Sequence, residues 1–498
     1  MGVIHLKSNV SLKANGATII KNKYKKGAGV IFSAEGSIGK EVPISKNVSK
    51  GAIAISTKTN HKFKINDLIL IKSQRNALSP DASQYRMGSP TAGFGAFFAE
   101  FLHVTSIDTK KSFSIYPPLE QSHYRTDRTE ETTKEVKQKV HNKPRRSTTV
   151  AKVNPIQHIT IEGFTFDATK GSTFTAVRLH TAAHIKVNNC TAIYQNKTGH
   201  FVKAVKSYQI TISNSNIIHS ASIWKNIKNH AGKYYRFNSM VLAGCHYCTV
   251  RNCSDVNGAQ TVDIGYAPND ITGSNCTVMG SHFSHNFYNP VTTHPGVYRT
   301  SILSNVFDTC RVGLQLRTPY LTVSNNVISG FSQNGLFIDK RYKSSGIALL
   351  GNIQHSTITN NTISGFQRGI FITDHTNRVT FPAFFNTTIS NNNISNCQYG
   401  FYARGNKKSS ILQDNGLIVQ NNIYRDIIKT PIFIAAHLSG VVIDNNLIYG
   451  GFQEESAIEA GNKNVIIIEN KLIDPKKDQS PIHIQDIPSD KRSYMIKR

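Results

Sequence analysis

Acidic residues are scarce in this chain. Asp and Glu number 30 against 58 Lys and Arg, a formal net charge of +28 over 498 residues. A balance that basic favours a polyanionic partner over a merely soluble surface. No recognised nucleic-acid module accompanies it, so nucleic acid is not the expected polyanion. Long apolar runs are missing, which leaves no candidate for a membrane-spanning helix. A secretory signal is missing too. Met1-Gly-Val-Ile-His-Leu-Lys7 opens in strand-like sequence, so the chain is either trimmed upstream or exported by another route. Cysteine is sparse: the 7 residues do not form a disulfide framework and read as free thiols. Trp occurs once, at Trp224.

What is present is a repeat. Leu321-Thr-Val-Ser-Asn-Asn-Val-Ile-Ser-Gly-Phe-Ser-Gln-Asn-Gly-Leu-Phe-Ile338 returns as Ser356-Thr-Ile-Thr-Asn-Asn-Thr-Ile-Ser-Gly-Phe-Gln-Arg-Gly-Ile-Phe-Ile372. It returns again as Thr387-Thr-Ile-Ser-Asn-Asn-Asn-Ile-Ser-Asn-Cys-Gln-Tyr-Gly-Phe-Tyr-Ala403. The apolar period is two, and neither segment of a copy is long enough for a helix. A unit of about 20 to 30 residues cannot bury its own apolar face and must stack on its neighbours.

Aligned on Ile161, Val187, Ile212, Val250, Val278, Ile302, Val323, Ile358, Ile389, Val419, Ile443 and Ile468, the repeat places a corner residue two positions later. That column reads Gly163, Asn189, Asn214, Asn252, Gly280, Ser304, Asn325, Asn360, Asn391, Asn421, Asn445 and Asn470. Asn tolerates the left-handed backbone of a sharp corner, and its amide can bond the Asn one coil away. Cys248 and Cys276 precede Val250 and Val278 by two and are expected inward on adjacent coils.

These residues resemble the pectate-lyase-like, right-handed parallel β-helix superfamily over roughly 156–486. The resemblance implies an all-β solenoid of about 12 or more coils. It extends to phage tailspike depolymerases and bacterial polysaccharide lyases and hydrolases. A small antiparallel β-module, marked by Gly51-Ala-Ile-Ala-Ile, 63–73, 101–108 and 112–119, is expected as an insertion. The organisation reads as first coils and cap over 1–50, module and charged loop over 51–150, main stack over 151–486, and a basic tail over 487–498.

Neighbouring coils lie about 4.8 Å apart, so a row of outward side chains makes a groove for an extended polymer. The second segments align as Val177-Arg-Leu-His180, Val202-Lys-Ala204, Val262-Asp-Ile-Gly265, Val291-Thr-Thr-His294, Leu314-Gln-Leu-Arg317, Phe337-Ile-Asp339, Ile370-Phe-Ile-Thr-Asp374 and Phe401-Tyr-Ala-Arg404. The mixed row nominates Asp263, His294, Arg317, Asp339 and Asp374 as catalytic. Lys203, Tyr266, Tyr298, Arg299 and Arg404 are substrate-binding candidates. Trp224 joins them from the 224–236 excursion, where aromatics beside cations suit sugar faces.

Two mechanisms compete. In a lyase, Arg317 or Arg299 neutralises a uronate carboxylate, His294 or Lys203 is the base, and Tyr266 or Tyr298 the acid. In a hydrolase, two carboxyls stand about 5 to 9.5 Å apart. Asp339 and Asp374 on adjacent coils fit that; Asp263 and Asp339, roughly 14 Å apart by coil spacing, do not. The polygalacturonase signature (Asn-Thr-Asp, Asp-Asp, Gly-His-Gly, Arg-Ile-Lys) is missing, so none of that family's catalytic residues carries over. No cofactor is expected; calcium would need an oxygen-ligand cluster that the sequence does not display.

The expectation is an extracellular, cell-surface or virion-tail enzyme that cleaves an acidic polysaccharide. The alternative is a non-catalytic adhesin gripping a polyanion such as teichoic acid. The tailspike resemblance implies a homotrimer, yet the sequence carries no trimerising coiled coil.

Overall fold

The computed structural model describes residues 3–20, 29–74, 97–120, 148–169, 174–194, 199–220, 238–265, 271–286, 288–294, 297–330, 344–351, 353–373, 386–404, 414–435, 438–454, 456–461, 465–474, 480–484 and 496–497. Their strands form a right-handed parallel β-helix. Three parallel sheets run its length with 14, 14 and 13 strands, called here A, B and C. Each turn passes from B through C to A: Leu321–Ser324 lies in B, Val327–Gly330 in C, Ser345–Leu350 in A, and Thr357–Thr359 returns to B.

The period-two pattern explains the sheets. In Ser274–Met279, Ser, Cys and Val point into the core while Asn, Thr and Met point away. Inward residues from all three sheets make one continuous core, running from Leu6 to Ile467. All seven cysteines are buried and free. Cys248 and Cys276 do face inward on adjacent coils, as the registers of the residues beside them require.

The B-to-C corner is left-handed at Asn189, Asn214, Asn252, Ser304, Asn325, Asn360, Asn391, Asn421 and Asn445, with φ between 47° and 58°. The last coil corrects the alignment by one residue. Ile443 pairs Ile467, so Glu469 takes the corner at φ 48° and Asn470 falls one position later.

That later position carries the bonded ladder. Asn326, Asn361, Asn392, Asn422, Asn446 and Asn470 each offer Oδ1 to the side-chain amide of the preceding coil's Asn, beginning with Asn305, at 2.8–3.0 Å. Toward the N-terminus, Ser281, Cys253, Ser215 and Cys190 continue the same column.

The inserted antiparallel sheet has seven strands and begins earlier than expected, at Ser37–Ile38 and Val42–Pro43. It closes with Thr149–Asn154, which pairs Leu68–Gln74. One face holds its own core around Ile55, Ile69, Phe113 and Val150. The other packs Leu70, Phe101 and Val153 on Ala183, Tyr208 and Ile271 of the helix wall.

Candidate functional site on sheet A

Register along sheet A sets side chains far apart in sequence side by side. Arg178, Lys203, Val241, Asp263, Thr292, Gln315, Ala348, Phe371, Tyr402, Phe433 and Glu459 are consecutive partners on one outward row. Two corrections to the sequence alignment follow. Asn238–Ala243 forms a coil that the alignment passes over, so Lys203 is separated from Asp263 by Val241. The strand after Leu314–Leu316 is Ser345–Leu350, because Leu314 pairs Ile347, and not Phe337-Ile-Asp339. Asp339 and Asp374 lie outside the described residues, as do Tyr266 and Trp224.

Asp263 and His294 meet. The His294 Nε2 stands 2.9 Å from Asp263 Oδ1, with both side chains partly exposed. Backbone pairing puts them within reach: His294 N–H donates to the Ile264 carbonyl at 2.9 Å. Gly265 then lies beneath the imidazole, and a Cβ there would touch His294 Cδ2 at 3.4 Å and Asp263 Oδ1 at 3.6 Å. The lack of a side chain at Gly265 leaves the ring room to reach the carboxylate. The ring N–H does not point along this contact, so Asp263 Oδ1 has ion-pair distance without an aligned hydrogen bond. Such alignment commonly tightens when substrate arrives.

The other carboxylate oxygen is held from one coil back. Asn238 Nδ2 donates to Asp263 Oδ2 at 2.6 Å. The Asn238 carbonyl accepts from His200 Nδ1 at 2.5 Å. Burial pushes the His200 pKa below its ordinary value, and the Lys203 charge adds to that; the backbone bond and Asp263 act against it. Asn238 and His200 went unnoticed in the sequence because each opens its strand ahead of the residues that the alignment compared. The apolar run Met240-Val-Leu242 was the available signal.

Arg317 follows Leu316 on the next coil, its N–H donating to Thr293 Oγ1 at 2.8 Å, which places it beside His294. Arg404 pairs in register with Thr373 on the same wall, further along. Tyr298 and Arg299 sit elsewhere. They open a strand of sheet B, past the corner, where Arg299 has φ 51°. Arg299 pairs Glu120 of the inserted module at 3.2 Å, and Tyr298 is buried against Tyr320. Their geometry is that of a docking seam between module and column.

Inside the column a further polar group stands out. Ser239 Oγ donates to Asp255 Oδ2 at 2.7 Å, and His219 Nε2 lies 3.1 Å from Ser239 Oγ. All three are at most 1% exposed. The serine proton goes to the aspartate rather than the histidine, and no substrate reaches it, so this is a core network and not a nucleophile.

With this geometry in view, relatives can be placed. A family model described as periplasmic copper-binding protein (NosD) matches residues 225–477, just over half of the 498. The chain belongs to the NosD family. No curated protein matches it. Among solved structures it is similar to the tailspike gp61 of Pseudomonas phage phi297, at 13% identity and TM-score 0.58, covering 99% of this chain and 72% of that one. It is similar to tailspike gp49 of Pseudomonas phage LKA1, at 14% identity and TM-score 0.57, covering 94% and 70%. A third is the gp54 tailspike of Acinetobacter baumannii bacteriophage AP22, in complex with capsular saccharide, at 13% identity, TM-score 0.52, 100% and 74% covered.

The copper in the family's description can be tested on this member's donors. Copper favours gathered thiolate, thioether or imidazole ligands. Among the described residues no group of three or more His, Cys, Asp or Glu can hold a metal ion. Burial pushes the Cys253 thiol up to about 11 and Cys397 to about 12, away from the thiolate a metal needs. The described residues of this NosD-family chain therefore do not fit a copper centre.

Proposed function

We propose that this NosD-family chain binds an acidic glycan along the outer face of sheet A and cleaves it by elimination at the Asp263–His294 pair. The observation that carries this is the 2.9 Å contact of Asp263 with His294 in the middle of a register-aligned row, with Arg317 on the next coil and Lys203 two coils back. Similarity to tailspikes, one holding a capsular saccharide, supports a glycan as the polymer and an extracellular or virion-associated setting. The +28 charge supports an acidic one.

Once substrate binding aligns Nε2–H with Asp263, Nδ1 of His294 carries the lone pair. That nitrogen takes the proton next to a uronate carboxylate. Cations at Arg317 and Lys203 neutralise the carboxylate and stabilise the charge that develops on it. The C–H electron pair becomes the new double bond, and the glycosidic C–O bond breaks. The departing oxygen recovers the proton from the imidazolium, which Asp263 stabilises. Hydrolysis needs a second carboxyl within about 9.5 Å of the first. Among the described residues, the side chains in contact with Asp263 are those of His294 and Asn238, the arrangement of a supported base rather than of a carboxyl pair.

The test incubates the protein with uronate polymers, neutral polysaccharides and teichoic acid. Ultraviolet absorbance from unsaturated ends and reducing ends are followed together. Absorbance on uronate polymers is expected, and His294→Ala should lower turnover at least about 100-fold while polymer affinity stays within a few-fold. Reducing ends without absorbance would replace elimination with hydrolysis. Binding with neither signal would make the protein a receptor-binding module.

A further inference from the structure

Further along the same face, the polar row becomes aromatic. Phe371, Tyr402 and Phe433 occupy consecutive coils, with Tyr402 and Phe433 stacked at 4.6 Å and 16°. Arg368 reaches between the first two. Its guanidinium carbon lies 4.1 Å from the Phe371 ring centroid and 4.5 Å from that of Tyr402. Tyr399 closes against Tyr402 edge-on at 5.0 Å, and Lys429 Nζ lies 5.8 Å over Tyr399.

Arg368 is only 6% exposed, and its Nε is sealed without a hydrogen bond. Among the described residues no carboxylate pairs with it. The groups that act on its charge are Tyr402, Tyr399 and Arg404, the last a like charge. Glu459, the next acid along the row, stands two coils beyond Tyr402. A buried cation normally has an anionic partner, because ring faces offset only part of its lost hydration. Here the Arg368 guanidinium and the Lys429 ammonium lie against the rings, Arg404 adds a like charge, and no carboxylate among the described residues pairs with Arg368.

We infer that Arg368, clamped by Phe371 and Tyr402, is an anion-binding subsite that takes a carboxylate or phosphate carried by the polymer. Phe371 is four coils from Asp263, roughly 19 Å at the coil spacing. A chain held at both places spans several sugar units, so the subsite selects long, regularly charged polymers. The inference rests on the glycan reading for its direction along sheet A, but not on cleavage.

The probes are polygalacturonate, which carries carboxylates, and inorganic polyphosphate. Their affinities are measured for the intact protein, for Arg368→Met, and for Lys186→Gln. Lys186 is an exposed cation on sheet B, away from this face. Methionine fills the slot between the rings without charge. Arg368→Met should weaken one or both polymers about tenfold, the scale of one charge-assisted contact. Lys186→Gln should change neither by more than about twofold. The polymer that responds identifies the anion.

Equal weakening by both variants would mean diffuse attraction and overturn the subsite. Unchanged affinity in Arg368→Met would overturn it too, and a lower thermal midpoint alongside would make Arg368 a spacer in the ring stack. A tenfold loss in a protein that releases no product keeps the subsite and removes the elimination mechanism. Failure of the wild-type protein to bind either polymer removes both.

Discussion

Asn361 shows how much one residue carries in this fold. Its side-chain amide donates to the carbonyls of Val323 and Thr359, both at 3.0 Å, and to Asn392 Oδ1 at 2.9 Å. Its own Oδ1 accepts the Asn326 amide and the Asn326 backbone N–H. It is 1% exposed, so none of these groups has water as a substitute. The neighbour Asn360 does different work, supplying the left-handed backbone of the corner at φ 56°. Asn361→Ala strands the buried Asn326 backbone N–H, at about 1 to 3 kcal/mol, and removes one bond each from the Asn326 amide, the Val323 and Thr359 carbonyls and Asn392 Oδ1. A loss on the order of 3 kcal/mol is expected in urea unfolding, and a loss below about 1 kcal/mol would mean the ladder is ornamental. The Asn-Asn pairs were plain in the sequence. Which member of each pair made the side-chain ladder was not, because both satisfy the same spacing and only the inward turn of the second one separates them.

At the level of elements, the turn from sheet C into sheet A depends on a column of glycines. Gly313, Gly346, Gly369 and Gly400 follow one another coil by coil. A Cβ on Gly369 would lie 2.6 Å from the Gly400 carbonyl oxygen and 2.4 Å from Ile394 Cγ2. The same close approach recurs at Gly313 and Gly346, against the next coil's carbonyl and an isoleucine of sheet C. Gly369→Ala must therefore push two coils apart, and about 2 kcal/mol or more of destabilisation is expected from overpacking. The thermal midpoint reports it; an unchanged midpoint would show that the coils give way freely. The same scale explains the misplaced strand. Gly335-Leu-Phe-Ile338 and Ser345–Leu350 both alternate with period two, and local pattern cannot choose between them. The choice is made by pairing, since Ile347 has Leu314 on one side and Ile370 on the other. The seam of Arg299 with Glu120 was hidden for a related reason: 179 residues separate partners whose meeting depends on where the module docks.

For the whole molecule, buried histidines set the response to acid. Burial holds His219 and His246 below the ordinary histidine value, His246 down to about 3. His103, His184 and His200 shift the same way, each mainly through burial. In the unfolded chain all five take up protons below about pH 6.5. The unfolded state then binds more protons, so stability is full above that pH and declines as pH falls toward the folded values. Asp255 runs the other way: burial raises its pKa, so its contribution is present at low pH and lost as pH rises through that folded value. With His355 lowered in the same way, the histidines outnumber it. The thermal midpoint should drop between pH 7.5 and pH 5, and a midpoint that rises over that interval would contradict this account.

The column follows from the repeat alone. Period-two alternation, a corner column of Asn and Gly, and a repeat too short to bury its own face allow a stack of coils and little else, because each is a local rule that every coil obeys separately. The sequence also marked Asp263, His294, Lys203 and Arg317 as residues of one wall, since register in a solenoid follows from the repeat. Which of them touch depends on packing between coils and module. The Asp263–His294 contact needs the open space at Gly265, the Asn238 brace comes from a coil that the sequence alignment passes over, and Arg299 is drawn off by a module docked from outside the repeat. Those are contacts between units of different kinds, and no periodicity within one unit encodes them.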